Sequence, residues 1–161
     1  MNKSTKIQAE PQSSVPDFQL RPATQEDFSF ARGLYFDSME PLLSALDAWD
    51  PENAENAFRC YFIAEEINVV QLNAKDVGWM QVSVTEKELC LDQIHLMEDV
   101  RGLGIGTHLI NKVIDEATAQ KRDVSLSLIK GNPSIGLYRR LGFQLDGEDA
   151  TKFHMLRKCA D

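Results

Sequence analysis

The sequence predicts a mixed α/β domain in which strands and helices alternate. Segments with apolar residues at every second position are interleaved with segments that follow the helical period of 3.6 residues. A cluster of three glycines lies between a strand-like and a helix-like segment, at Gly102, Gly104 and Gly106. The length of 161 residues is that of one domain and is long enough to bury a core.

The first half of the chain is predicted to hold two helical regions among its strands. A first strand, Phe18–Ala23, is followed by Thr24, which is placed to cap a helix over Gln25–Ser38. A second helical stretch is expected from Pro41 to Trp49, or onward through Asn53–Phe58. The further strands are predicted within Cys60–Val70 and over Val77–Val84, where apolar and polar residues alternate.

The second half of the chain is predicted to begin with a strand over Glu88–Met97, after the tight turn Glu86-Lys87. The main helix follows from about Leu103 to Gln120, with a buried stripe at i, i+3 and i+4 spacing: Leu109, Ile110, Val113, Ile114 and Ala117. The remaining predicted elements are Val124–Leu128, a short helix around Tyr138, and the closing pair Phe143–Leu145 and Lys152–Leu156.

Composition excludes several classes of function. The net charge of −8 argues against nucleic acid, which needs a basic surface. No apolar run approaches the roughly 20 residues that span a membrane. The cysteines, at 60, 90 and 159, are odd in number and far apart, so neither a disulfide framework nor a metal site is predicted. We expect a cytoplasmic protein with a disordered tail over residues 1–16 and a folded domain over 17–161.

The segment from Arg101 to Thr107 has the composition of a phosphate-binding turn. Glycine adopts positive φ without steric cost, and the first turn of a helix presents free N–H groups and partial positive charge. These features together favour an anion site. The dinucleotide fingerprint fits poorly because the third glycine comes one residue too early, and the Walker A lysine is missing before Thr107.

A second motif follows at Asn132–Phe143. Asn132 is a good N-cap, Pro133 suits the first helical position and Gly142 is a natural stop. Tyr138 lies on the face of this short helix that carries its apolar residues, so on spacing alone it is an ordinary core aromatic.

These two motifs, Arg101-x-x-Gly104-x-Gly106 and Asn132 with Tyr138 and Gly142-Phe143, resemble the GNAT superfamily of N-acetyltransferases. The resemblance extends from about Phe18 to Lys158. It implies a mixed, mostly antiparallel central sheet of six to seven strands, flanked by about four helices. It also implies that the sheet splays open between its fourth and fifth strands, which would here be Glu88–Met97 and Val124–Leu128.

The resemblance further implies acetyl-CoA as acetyl donor, with no metal. Backbone groups near Ile94 and Leu96 would hold the pantetheine arm, and one of those N–H groups would polarise the thioester carbonyl. Asn132 and Tyr138 would face the coenzyme, with Tyr138 as general acid. The pyrophosphate would lie on the residues of the glycine loop: Arg101, Gly102, Leu103, Gly104, Ile105, Gly106 and Thr107.

Asp92 is the first candidate for the general base. On a regular strand it shares a face with Cys90, Ile94 and Leu96, a mostly apolar row in which a carboxylate calls for an explanation. Some members of the resembled family carry a base at this place. A solvated or hydrogen-bonded strand carboxylate is the competing interpretation, and His95 and Glu98 are further candidates for the base.

The acceptor is left open by the sequence. Between Arg32 and Arg59 there is no basic residue, whereas acidic residues recur at 37, 40, 47, 50, 52 and 55. Such a wall would attract a cationic amine, although it is also what a solvated helical face looks like. We expect an N-acetyltransferase acting on a small cationic amine, as a monomer or homodimer. A non-catalytic acetyl-CoA sensor and an acyltransferase using another acyl group or a hydroxyl acceptor are the alternatives.

Overall fold

The computed structural model describes residues 14–160, which form a seven-stranded sheet in the order β1-β2-β3-β4-β5-β7-β6. The strands are β1 Phe18–Pro22, β2 Ile67–Leu72, β3 Lys75–Val84, β4 Glu88–Leu96, β5 Asp123–Ile129, β6 Gln144–Glu148 and β7 Lys152–Arg157. The helices are α1 Phe28–Ala45, α2 Pro51–Tyr61, α3 Ile105–Ala119 and α4 Ile135–Arg140. The mixed, mostly antiparallel sheet with four helices confirms the predicted fold class.

Two hydrophobic cores lie on the two faces of the sheet. On one face, α3 buries its predicted stripe, and all five residues from Leu109 to Ala117 in that stripe are buried. On the other face, α1 and α2 cover a smaller aromatic core that includes Phe58 and Trp79. The sheet is therefore sandwiched between two helical layers, and the helix–sheet packing predicted from the 3.6-residue period is confirmed for α3.

The predicted splay lies between β4 and β5, which run parallel to each other. Their pairing starts at Glu88 and Asp123 and ends at Leu91 and Leu126. Beyond this last pair β4 continues to Leu96 and β5 to Ile129 without pairing with each other. The two strands thus open a gap whose edges carry backbone groups that need other partners.

Asp92 occupies a β-bulge at the point where the two strands part. In the antiparallel pairing of β3 with β4, Gln81 lies opposite Gln93 and Val82 lies opposite Leu91, so Asp92 is the extra residue. The bulge reverses the alternation of the strand, and both Leu91 before it and Ile94 after it pack on the α3 side. The predicted common face of Cys90, Asp92, Ile94 and Leu96 is therefore wrong.

Helix α1 runs through Pro41 and ends only at Ala45, although the sequence predicts an end near Ser38. A proline inside a helix frees the carbonyl four residues earlier, here that of Asp37. Because Asp37 and Pro41 are both exposed, water can satisfy that carbonyl. Cys60 belongs to α2 rather than to a strand, and α3 begins at Ile105 rather than Leu103.

The predicted tail falls mostly outside the described part of the chain, since residues 1–13 are not described. Of the remaining tail residues, Val15 packs against the core on the α3 side. One methyl carbon of Val15 lies 3.1 Å from the position that a Cβ on Gly104 would take. Val15 therefore lies beside the predicted phosphate-binding loop, where a side chain at position 104 would meet it.

Candidate active site

The gap between β4 and β5 opens into a single cleft of about 640 Å³. This volume is typical of small-molecule sites. Helices α1 and α2 border one end of the cleft, and α3 and α4 border the other. The predicted site residues that line the cleft are Asp92, Ile94, Leu96, Arg101, Gly106, Asn132 and Tyr138. Of the predicted glycine loop, Gly102, Leu103, Gly104, Ile105 and Thr107 do not line it.

The backbone of β4 turns alternate groups toward β3 and toward the gap. The N–H of Met97 donates to the carbonyl of Val77 over 2.8 Å, which orients the odd-numbered residues toward β3. By alternation, the backbone groups of Ile94 and Leu96 point into the gap. The carbonyl of Leu96 accepts a hydrogen bond from Nε of Arg101 at 3.0 Å, so this side chain reaches back over the gap.

The glycine loop presents an uncapped helix start to the same cleft. Gly102 and Gly104 have φ of 75° and 88°, a conformation that suits glycine. Gly104 is the N-cap of α3 and no side chain caps it; the first regular helical bond runs from the N–H of His108 to the carbonyl of Gly104. The N–H groups of the first turn, on Ile105, Gly106 and Thr107, are therefore available to an anion.

Tyr138 lies on α4 with its ring packed edge-on against Phe143 at a centroid distance of 5.7 Å. The residue lines the cleft but is only 6% exposed. Burial raises the pKa of its hydroxyl to about 12, since the phenolate would lose its hydration. Tyr138 is therefore a neutral hydrogen-bond donor at the edge of the cleft at any physiological pH.

Asn132 organises the turn that leads into α4. Its side-chain Oδ1 accepts a hydrogen bond from the N–H of Ser134 at 2.9 Å. The helix itself begins at Ile135 with Ser134 as N-cap, two residues later than the predicted cap at Asn132. Asn132 also lines the cleft, so it can both hold this turn and contact a ligand.

Asp92 lines the cleft from the bulge of β4. Partial desolvation raises the pKa of its carboxyl group above the ordinary value. A hydrogen bond with Ser83 lowers this pKa, but by less than desolvation raises it. The neighbouring charge of Glu66 also raises this pKa. A carboxylate whose pKa is raised is a better proton acceptor than an ordinary one, because its proton is held more tightly.

His95, a further candidate for the base, lies on the opposite face of β4 from Ile94. It is buried against Tyr35 and Trp79, and its Nε2 lies 2.7 Å from Oε1 of Gln93. Desolvation lowers the pKa of the imidazole to about 4. The other candidate, Glu98, is exposed in the short turn before the glycine loop and does not line the cleft.

A group that the sequence does not reveal lies on the β5 side of the cleft. Ser127 lines the cleft, and its Oγ is 2.7 Å from Nδ1 of His154, which lies directly opposite on β7. Nε2 of His154 is 3.4 Å from Oδ2 of Asp149. No local motif marks these residues; only the register between β5 and β7 brings them together.

The predicted acidic wall is mostly absent from the cleft. Of its six acidic residues, Asp50 lines the cleft and the other five do not. Asp50 accepts hydrogen bonds from the N–H groups of Glu52 and Asn53 and so caps α2. Glu55 forms ion pairs with Arg32 and Arg59, the two basic residues at the ends of the acidic segment. Their positive charges offset the negative charge of Glu55.

The fold and the cleft match a known family. The model of the acetyltransferase (GNAT) family matches residues 20–143, so the chain belongs to the GNAT acetyltransferase family. Its structure is similar to that of the PaiA N-acetyltransferase of Thermoplasma acidophilum in complex with coenzyme A, with a TM-score of 0.71 at 14% identity. That likeness covers 88% of this chain and 99% of the other.

Curated relatives match over shorter segments. An L-methionine sulfoximine/L-methionine sulfone acetyltransferase of Pseudomonas aeruginosa is 42% identical over 57 residues, 34% of this chain and 33% of the relative. An uncharacterised N-acetyltransferase of Methanocaldococcus jannaschii is 34% identical over 85 residues, 47% of this chain and 38% of the relative. The chain thus aligns with a third to two fifths of these relatives.

Across residues 14–160, no helix has the length and apolarity needed to cross a membrane. In the same part of the chain, no three His, Cys, Asp or Glu side chains are grouped to hold a metal ion.

Proposed function

We propose that the protein is an acetyl-CoA-dependent N-acetyltransferase that moves an acetyl group directly to the primary amine of a small cationic molecule. The observation that carries the proposal is the meeting of three features in one cleft. These are the parted edges of β4 and β5, the uncapped start of α3 and the neutral hydroxyl of Tyr138. Membership of the acetyltransferase family supports the acetyl transfer, and the relative that acetylates methionine sulfoximine supports an amine acceptor.

Acetyl-CoA would supply the acetyl group as a thioester. The free N–H groups at the start of α3, with the guanidinium of Arg101, suit its pyrophosphate. The backbone groups of Ile94 and Leu96 suit the amides of its pantetheine arm, which would extend the sheet across the gap as a further strand does. The Leu96 carbonyl, which now accepts from Arg101, would exchange that partner for the ligand.

A backbone N–H of β4 would stabilise the charge that develops on the thioester oxygen. The N–H groups of Ile94 and Leu96 point into the gap and are fixed by the pairing of β4 with β3. A donor held rigidly by a sheet needs no reorganisation during the reaction, which is why such donors lower barriers.

Tyr138 would donate a hydrogen bond to the departing sulfur. With a pKa of about 12, its phenol is a weaker acid than a thiol, whose pKa is about 8.5. Full proton transfer from Tyr138 to a thiolate is therefore uphill while the cleft remains dry. Stabilisation of the sulfur charge by a hydrogen bond is the role that this pKa favours.

Asp92 would accept the proton of the incoming ammonium, directly or through water. Its raised pKa places it nearer to the pKa of the group it must deprotonate, although an aliphatic amine near 10 remains higher. The transfer to Asp92 is therefore uphill, and it comes before the attack because an ammonium nitrogen has no lone pair until it loses this proton. The bulge places this carboxylate beside the last paired residues of β4 and β5, where the gap begins.

The test is thiol release from acetyl-CoA across polyamines, amino sugars, amino acids and short peptides, with thermal unfolding measured in parallel. Turnover with one class of amine and a rise in melting temperature with coenzyme A are expected. A thermal shift without turnover by any amine would point to an acetyl-CoA sensor. If coenzyme A causes no thermal shift and no amine is turned over, the proposed use of the cleft is ruled out.

A further inference from the structure

The C-terminal half of α1 carries an apolar face that neither hydrophobic core uses. Met39, Leu42 and Leu43 are half-buried, yet they belong to neither of the two cores of the described chain. All three line the cleft instead. An apolar surface kept at a cleft wall, rather than packed into a core, is available to the apolar part of a ligand.

Helix α2 and the middle of α1 supply the facing wall. Ala54 and Ala57 of α2 present small side chains to the cleft, and Tyr35 and Tyr61 add two aromatic rings. Small residues on one helix opposite large ones on the other leave a slot between the helices. The slot lies on the opposite face of the sheet from α3 and the glycine loop, and the cleft passes through the gap between β4 and β5 from one to the other.

Charged groups are few at this end of the cleft. Among the described residues, the carboxylates that line the cleft are Asp50 and Asp92, and Asp50 is engaged in capping α2. The cationic side chains that line it are Arg101 and Lys152, and neither belongs to α1 or α2. Oδ1 of Asp50 already stabilises the start of α2, so Asp92, which also interacts with Ser83, is the carboxylate left for an ammonium group. Neither helix offers a cation for a carboxylate.

We infer that the acceptor is a monoamine with an apolar body, an alkyl or arylalkyl amine without a carboxylate. The inference rests on the proposed function and narrows its substrate class. The apolar body lies between α1 and α2, and the amino group is directed to Asp92. A second ammonium group or a carboxylate on the body would have to leave water for an apolar wall, at a large cost in free energy.

Matched pairs of amines test the inference. From propylamine to hexylamine, kcat/KM is expected to rise about fourfold per methylene while the chain stays within the slot. Cadaverine differs from hexylamine mainly in a terminal ammonium and is expected to react at least tenfold more slowly. Phenylalanine differs from phenethylamine by one carboxylate and is expected to show the same penalty.

A pair of leucine variants locates the effect on α1. Leu42→Asn places an amide on the cleft wall and is expected to lower the ratio of hexylamine to cadaverine turnover about tenfold. Leu46→Asn makes the same change one turn further along, at a half-buried residue that does not line the cleft, and is expected to keep the wild-type ratio. Coenzyme A affinity is measured for both variants to show that the donor site is intact.

The outcomes separate this inference from the proposed function. Preference for cadaverine, a polyamine or phenylalanine would overturn the apolar slot and leave the acetyltransferase in place. Preference for a peptide with an apolar N-terminal residue over every small amine would likewise overturn the inference that the acceptor is a small monoamine. Thiol release with none of these amines would contradict the proposed function itself, and the inference with it.

Discussion

The imidazole of His95 lies against the indole of Trp79, with ring centroids 5.1 Å apart and ring planes 37° from parallel. The two residues are directly opposed across β4 and β3. Both are buried, and the indole Nε1 has no hydrogen-bond partner among the described residues. This packing, which excludes water from the ring, is the reason that the pKa of His95 falls and that His95 is a poor candidate for the base.

The stability of the protein is expected to fall below neutral pH because of His95. The pKa of His95 is about 4 in the folded state against about 6.5 unfolded, so only the unfolded chain gains this proton between those values. The loss in the free energy of unfolding that is due to His95 is close to nil above pH 6.5 and reaches about 3 kcal/mol near pH 4. Urea unfolding at pH 7 and pH 4.5 measures it.

The matched variant for this experiment is His95→Gln, which keeps a polar group but cannot titrate. Its loss of stability between the two pH values is expected to be smaller than that of the wild type. Other groups, such as Asp27 with its lowered pKa, contribute equally to both proteins. An identical pH dependence in the two proteins would show that His95 is not the group responsible.

Removal of the Tyr138 hydroxyl is expected to affect turnover and not coenzyme binding. Tyr138→Phe keeps the ring packed on Phe143, and kcat is expected to fall on the order of 10²-fold because the departing sulfur loses its donor. Steady-state kinetics and coenzyme A titration measure the two effects separately. Tyr61→Phe removes an exposed hydroxyl from the α2 end of the cleft and should have a much smaller effect on kcat. Equal losses in both variants would argue against a specific role for Tyr138.

Replacement of Asp92 is expected to change the pH profile as well as the rate. In the wild type, kcat/KM rises with pH through the raised pKa of Asp92, since the ionised form is the base. Asp92→Asn is expected to lower kcat/KM on the order of 10²-fold at pH 7. The kcat/KM of this variant should recover toward pH 10, where the amine loses its proton to water without a base.

Glu98→Gln is the matched control, because Glu98 is an exposed carboxylate near the same loop that does not line the cleft. It should keep the wild-type profile. If Asp92→Asn also keeps that profile, another group takes the proton, and the Ser127–His154 pair is the next to replace.

The conformation of Gly104 is expected to matter to both stability and coenzyme binding. Gly104→Ala places a Cβ at φ 88°, which costs about 1–2 kcal/mol, and 3.1 Å from Val15. If one N–H bond to the pyrophosphate is lost, coenzyme A affinity falls about tenfold. Gly33→Ala, within α1 and with no atom within 4 Å of its Cβ, should instead stabilise by about 0.5–1 kcal/mol. Calorimetric titration and thermal unfolding measure both effects.

The sequence predicts well those features that depend on local periodicity or on local backbone chemistry. The stripe from Leu109 to Ala117 is buried because a helix of regular period must turn one face to the sheet. Thr24 caps the first helical turn as expected, since its Oγ1 accepts from the N–H of Glu26. The splay between β4 and β5 was implied by family resemblance and not by any pattern within the two strands.

Features set by the pairing of distant residues could not be predicted. The bulge at Asp92 depends on the register of β4 against β3. It reverses the face of the sheet to which each later residue of β4 points. The ion pairs of Glu55 with Arg32 and Arg59 depend on how α1 and α2 pack, and they remove charge from the predicted acidic wall. The contact of Ser127 with His154 depends on the register of β5 and β7.

The bulge ties the chemistry of the cleft to the architecture of the sheet at a single residue. Because Asp92 is the extra residue of the bulge, Leu91 and Ile94 can both pack toward α3. Its side chain can be exchanged with little effect on the sheet, whereas a regular pairing of β3 with β4 that took Asp92 into the ladder would turn the end of β4 over. His95 would then face α3, and the backbone edge now open to the gap would turn toward β3. A chain without the bulge would lose this binding edge even with the carboxylate of Asp92 still in place.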